Sequence, residues 1–354
     1  MKRLQQLFTI LFVGLIGFSA NAQLDIHFSQ FYQSPTNLNP ALTGVMNCNV
    51  RLSANYRNQW ASVTGFENSF NTYSASYEQR IPVGRYDYFG VGLTLWGDVA
   101  GTSNFTTNTA KVSGSYAKRM GGYRDESHYL VVGADAGVVQ RSIDFLALRW
   151  GTQHDGEGGF DPTADSQENG NLEDDNFVFA DLSAGLMWFS VLDENNSFYV
   201  GGAYSHLNRA NISFFGDDEE ELFTKITLHA GGEFSNGSSK VAIVPNIVAF
   251  FQGPSFQVVP GTAVRFRLGN SRRYYQAFQI GAWARVTHQL ESDTQLDAII
   301  LTTRFEYEDF GIGFSYDLNT SSLNEASNFN GAFEFALNYK ICGPEKRNVY
   351  CPNF

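Results

Sequence analysis

Charge is scarce in this chain: Asp, Glu, Lys and Arg make up 17% of its 354 residues, and proline and cysteine number only 9 and 3. Basic residues lack the excess that nucleic acid demands, since 24 Lys and Arg stand against 36 Asp and Glu, a net charge of −12. So few charges beside 43% hydrophobic residues also exclude a disordered chain. After the first residues no run of eighteen apolar positions occurs, so helices cannot be the means of crossing a bilayer. Catalytic patterns are missing as well: there is no G-x-S-x-G, H-E-x-x-H, P-loop or complete G-x-G-x-x-G. Gly90-Val91-Gly92 falls inside a strand pattern, where it cannot open a helix over a phosphate. The six histidines (27, 128, 154, 206, 229 and 288) have no metal-ligand spacing. No catalytic, cofactor-binding or metal-ligating residue is therefore expected, and no cofactor.

Glycine and aromatics are abundant: 34 Gly, 31 Phe, 17 Tyr and 5 Trp. With few charges, they suggest strands with an apolar, aromatic exterior. The N-terminus predicts export. Lys2 and Arg3 precede an apolar run from Leu7 to Phe18, and Ala20-Asn21-Ala22 supplies a cleavage site. Cleavage after residue 22 leaves 22 basic and 36 acidic residues, a charge of −14.

A bilayer then leaves only a closed barrel, because every backbone polar group must be paired internally. The barrel signature is a repeated run of about ten residues alternating apolar and polar. Val50, Leu52, Ala54 and Tyr56 alternate with Arg51, Ser53, Asn55 and Arg57; Phe333, Phe335, Leu337 and Tyr339 alternate with Ala332, Glu334, Ala336 and Asn338. Such runs fall at 50–60, 69–80, 88–97, 105–119, 128–140, 177–190 and 197–206. They continue at 222–234, 240–251, 256–268, 275–288, 295–307, 309–318 and 329–341. The prediction is an all-β transmembrane barrel of about 14 antiparallel strands, with short periplasmic turns and longer extracellular loops. The long connections 141–176, 207–221 and 319–328 all fall on one side, as that layout requires. Run 240–251 is apolar on both faces and holds Pro245, which predicts a bend or bulge. A large soluble sandwich is the rival, but its strands would be shorter.

Four segments follow: a signal peptide at 1–22, an N-terminal segment at 23–48, the barrel at 49–341 and a periplasmic tail at 342–354. Segment 23–48 carries Phe28, Phe31, Tyr32 and Pro40 and is too long for a lead-in, so it is expected to form a partial plug at the periplasmic mouth. Lumen-facing charges have both signs: Arg51, Arg57, Lys111, Asp135, Asp181, Glu233, Arg265, Arg267, Asp317 and Glu334. A selective pore tends to present one sign, so the mixture predicts a salt-bridged, filled interior. His229 shares that parity and is expected to be a hydrogen-bonded interior residue. Cys342 and Cys351 bracket the tail and are predicted to form a disulfide, leaving Cys48 free. Pairing with Cys48 stays open, because a closed barrel sets its first and last strands side by side. Eight acidic residues between Asp155 and Asp175 and five at Asp217–Glu221 lie in predicted extracellular loops. They lack the EF-hand spacing and are expected to be hydrated loops rather than a cation site beside lipopolysaccharide.

The opening is distinctive: His27-Phe28-Ser29-Gln30-Phe31-Tyr32, Asn37-Leu38-Asn39-Pro40-Ala41-Leu42-Thr43-Gly44 and Asn55-Tyr56-Arg57-Asn58-Gln59-Trp60. With Gly159-Phe160-Asp161-Pro162, Asp181-Leu182-Ser183-Ala184-Gly185-Leu186, Phe198-Tyr199-Val200-Gly201-Gly202, Gly313-Phe314-Ser315-Tyr316-Asp317, Gly331-Ala332-Phe333-Glu334 and Cys351-Pro352-Asn353-Phe354, it resembles the PorP/SprF family. These are outer-membrane proteins of the type IX secretion and gliding machinery of Bacteroidota. The resemblance implies a non-enzymatic barrel that supports export and surface attachment of a large, adhesin-like cargo. The implied partners are the cargo's C-terminal domain, periplasmic ring components of the machinery, and outer-membrane lipid and lipopolysaccharide. A passive channel or hydrophobic-solute transporter is the alternative that the barrel pattern alone equally supports.

Overall fold

A computed structural model describes residues 25–122, 126–154, 159–161, 163–164, 175–193, 195–214, 220–236, 239–269, 275–289, 292–322, 324–343 and 351. The signal peptide expected at 1–22 and most of both acidic runs lie outside these residues. The strands are β1 (Val50–Gln59), β2 (Phe70–Val83), β3 (Asp87–Ala100), β4 (Phe105–Gly121), β5 (Ser127–Ser142), β6 (Asn176–Val191) and β7 (Ser197–Ser205). They continue with β8 (Lys225–Ser235), β9 (Val241–Gln252), β10 (Ser255–Arg267), β11 (Gln276–Gln289), β12 (Ser292–Tyr307), β13 (Phe310–Asn319) and β14 (Asn330–Ile341). Each pairs antiparallel with its sequence neighbours, and β1 pairs with β14, closing a barrel with no free edge. Every alternating run of the sequence is one of these strands. Closure excludes the open edges of a sandwich.

The period of two sorts side chains as a membrane barrel requires. Phe89, Val91, Leu93 and Leu95 on β3 are 40–47% exposed and point outward. Glu78, Arg51 and Glu334 point inward and are almost fully buried. Two ends are distinguishable. One carries Val50 and Ile341, the strand ends nearest the chain termini, with the connections 84–86, 192–196 and 308–309; we call it the terminal end. The other, the loop end, carries 60–69, 143–175, 206–224 and 320–329.

At Pro245, where a bend or bulge was expected, the register does not shift, but the pairing with β8 is interrupted. β9 keeps one register along β8 and β10, with a gap in its β8 ladder between Gly231↔Asn246 and Phe234↔Ile243. Proline has no N–H to give, and the gap spans the position where β8 would have received it. Both faces of β9 are apolar for another reason: Val248 and Phe250 join a hydrophobic cluster inside the barrel. Phe31, Tyr32, Leu38, Leu42 and Val45 of the N-terminal segment complete that cluster.

Candidate functional site: the occupied lumen and its open vestibule

Residues 25–48 lie within the barrel. Short 3-10 and helical turns at Phe31–Gln33, Pro35–Leu38 and Pro40–Leu42 fold them into a compact inner segment. Pro35 and Pro40 start two of these turns, where a missing N–H costs nothing. Asn39 caps the last turn by accepting from the Ala41 N–H at 2.8 Å.

Ionised side chains of the wall fix the segment. The Ser29 N–H donates to Glu334 Oε2 at 2.7 Å and the Gln30 N–H to Oε1 at 3.0 Å. Ser29 Oγ donates to Asp317 at 2.8 Å and accepts from Arg57 and from Arg285. Asp317 in turn pairs with Arg57 at 2.9 Å and Arg285 at 2.8 Å. Two guanidiniums and two carboxylates thus close around one serine, all nearly free of solvent contact. Gly44 N–H donates to Glu78 Oε2, whose carboxylate holds Arg51 through two contacts of 2.9 Å. At the loop end, His206 bridges Asp25 at 2.7 Å and Asp181 at 2.8 Å, and Lys111 reaches Asp181 at 2.6 Å and Asp135 at 3.5 Å.

Neutral contacts finish the fit. Asn39 Nδ2 donates to the Leu186 and Gly202 carbonyls and meets His229 Nε2 at 2.9 Å. Tyr32 stacks on Trp283 with ring centroids 5.4 Å apart. Wall glycines make the room: a Cβ on Gly90 would sit 2.0 Å from the Thr43 carbonyl, one on Gly133 2.5 Å from Ala41 N, and one on Gly185 1.9 Å from Asn39 Oδ1.

Among the described residues, the terminal end is left partly open. Next to Asn47 and Cys48 a cavity of about 580 Å³ opens between the inner segment and the wall of β8, β10 and β12–β14. Arg265, Arg267, Arg304, Lys340, Glu233 and Glu306 line it. Deeper in, two voids beside the segment measure about 20 and 40 Å³, room for water but not for a solute.

The ten charges assigned to the lumen all face inward, and each belongs to an ion pair: Arg267, for example, meets Glu233 at 3.3 Å and Arg265 meets it at 3.0 Å. Glu78, Arg285, Arg304 and Glu306 were missed, although strand parity alone would have found them. The predicted cysteine pair is corrected. Cys48 is bonded to Cys342, with Cα atoms 4.3 Å apart, and Cys351 is a buried free thiol. The cause is closure: Val50 pairs with Ile341, so the residues flanking that pair come together. Cys351 instead holds the inner segment by its backbone, donating to Asn47 Oδ1 at 2.6 Å and accepting from Nδ2 at 3.1 Å.

A family model described as "Type IX secretion system membrane protein PorP/SprF" matches residues 20–339. No curated protein matches. Among solved structures, the chain is similar to a bacterial polysaccharide outer membrane secretin at 12% identity and a TM-score of 0.37, covering 84% of this chain and 99% of that one. The toluene transporter TbuX of Ralstonia pickettii matches at 11% identity and a TM-score of 0.42, over 91% of this chain and 96% of that one. CdiB from Escherichia coli matches at 9% and 0.45, over 81% of this chain and 63% of CdiB. At these values the likenesses carry no argument about function.

Proposed function

The chain belongs to the PorP/SprF family of type IX secretion system membrane proteins, barrels of the outer membrane, and from that premise we propose that it is a plugged support for cargo rather than a conduit. The observation that carries this reading is the inner segment, tied into the wall by an ion pair at Asp25 and by main-chain hydrogen bonds from Ser29, Gln30 and Gly44 to buried carboxylates. On this reading the long loops face outward and engage the C-terminal domain of a large, adhesin-like surface protein. The terminal end faces the periplasm and the ring components of the machinery. Residues 25–48 are the plug, extending through the lumen rather than sitting at one mouth. The protein then holds and presents a cargo without chemistry of its own.

A deletion strain tests it through quantitative comparison of the surface and medium proteomes with wild type. Loss of one large surface protein, with its accumulation inside the cell, is expected. If every type IX cargo still reaches the surface, the reading fails. A passive channel draws on the open vestibule; it requires steady single-channel conductance in planar bilayers, which the plug should suppress.

A further inference from the structure

We propose that the terminal-end vestibule is a carboxylate-binding pocket that takes an acidic, extended segment of a partner protein. Its inner charges are Arg265, Arg267, Arg304 and Lys340 against Glu233 and Glu306. Both carboxylates are already shared. Glu233 lies between Arg265 at 3.0 Å and Arg267 at 3.3 Å, and Glu306 lies between Arg304 at 3.0 Å and Arg265. Lys340 is left over: its backbone N–H donates to the Asp309 carbonyl, but its ammonium has no hydrogen bond or ion pair among the described residues. Its cross-strand neighbour on β1 is Arg51, whose guanidinium is committed to Glu78. A half-buried ammonium beside a second cation, reached only beyond ion-pair distance by Glu306, whose carboxylate two arginines already share, gains when a further anion comes to it. Glu308 and Asp309 also line the cavity, but they are exposed at its rim, where water and salt screen them.

The size and access of the pocket select the ligand. A volume of about 580 Å³ suits a short peptide and is more than a lone phosphate needs. The barrel is closed by hydrogen bonds all round, so a lipid headgroup has no lateral way in. An extended segment entering along the axis can bring one carboxylate to Lys340 and lay its backbone against Tyr275 and Asn338. The inference rests on the proposed function only for the compartment that the mouth faces; the affinity for anions does not depend on it.

The test uses the purified full-length barrel in detergent and a fluorescein-labelled hexapeptide of alternating Asp and Glu, read by fluorescence polarisation. Saturable binding is expected, with the Asn/Gln counterpart at least tenfold weaker. Lys340→Gln should cut affinity about tenfold, which is about 1.4 kcal/mol, and Lys340→Arg should restore it. Arg209→Gln, an exposed loop-end change, should leave it unaltered. Equal binding by Lys340→Gln or by the amide peptide overturns the proposal. Displacement by equimolar inorganic phosphate, or by nanodiscs of phosphatidylglycerol, overturns it in favour of a phosphate or headgroup site. Loss of cargo export in the deletion strain with no peptide binding here would sink the pocket and spare the proposed function.

Discussion

The inner wall of this barrel meets its contents in two different ways. On the β3–β6 side, glycines 90, 133 and 185 face inward and the main chain of the inner segment lies where their side chains would be. On the β8–β14 side of the terminal end, Arg265, Arg304, Glu306 and Lys340 face inward and a cavity remains. Small residues mark a wall built around a second piece of chain. The ionised residues of the second group instead border space that the described part of the inner segment leaves open. The difference separates what holds the inner segment from what is left free to bind, and it makes opposite demands on substitution.

Replacement of charge should show the largest contrast. Asp317→Asn leaves Arg57 and Arg285 in the occupied lumen without their shared carboxylate. Breaking a buried pair from one side typically costs about 3–5 kcal/mol. Arg267→Gln, by comparison, removes a side chain that is 26% exposed in the vestibule, and should cost about 1 kcal/mol or less. Denaturant midpoints for the two variants in one detergent decide the matter. Equal losses would mean that the two sides of the lumen are not different environments.

The sequence disclosed the wall far better than its filling. Alternation set all fourteen strands, because a period of two is fixed by backbone geometry wherever lipid lies on one face. Pro245 brings no register shift, and the inward apolar residues of β9, Val248 and Phe250, belong to the cluster that also holds Phe31 and Leu42. The inner segment has no period to read. Its turns at Pro35 and Pro40 serve a fit whose other half, at Gly133 and Gly185, lies far along the chain on β5 and β6. The cysteine pairing was lost for the same reason: proximity along the chain favoured Cys351, while closure favoured Cys48.

A matched pair of glycines sharpens the contrast at smaller scale. Gly133 and Gly311 both face inward, but a Cβ on Gly133 would lie 2.5–2.6 Å from backbone atoms of Pro40 and Ala41, while one on Gly311 would find its nearest neighbour at 3.8 Å. Gly133→Ala should therefore cost about 1–3 kcal/mol by overpacking against a main chain that cannot rotate away. Gly311→Ala should be close to neutral. Proteinase K cleavage within residues 25–48 reports the same event directly, and should rise in the first variant only. Similar behaviour of both would remove the steric account of the inward glycines.

The smallest effect should come from pH, at the loop end where the inner segment begins. Burial by itself lowers the His206 pKa, but the Asp25 charge and hydrogen bonds to Asp181 and Asp25 outweigh it and push the value up to about 9. The ordinary value is 6.5, so the protonated ring is favoured in the folded state. Its stabilisation is complete below about pH 6.5 and fades as pH rises through about 9. The ring then loses one of its two N–H donors, and Asp25 or Asp181 loses a partner. Ser29, Glu334 and Asp317 still hold the chain four residues further on, so the opening should stay local. Hydrogen-exchange protection over residues 25–28, corrected for the intrinsic rate, should fall between pH 6 and 9.5 while protection over 39–46 is unchanged. In His206→Gln the first segment should lack the pH step. A step of equal size in that variant would move the switch to another group, and a parallel loss over 39–46 would show that the segment is released as one piece rather than from its end.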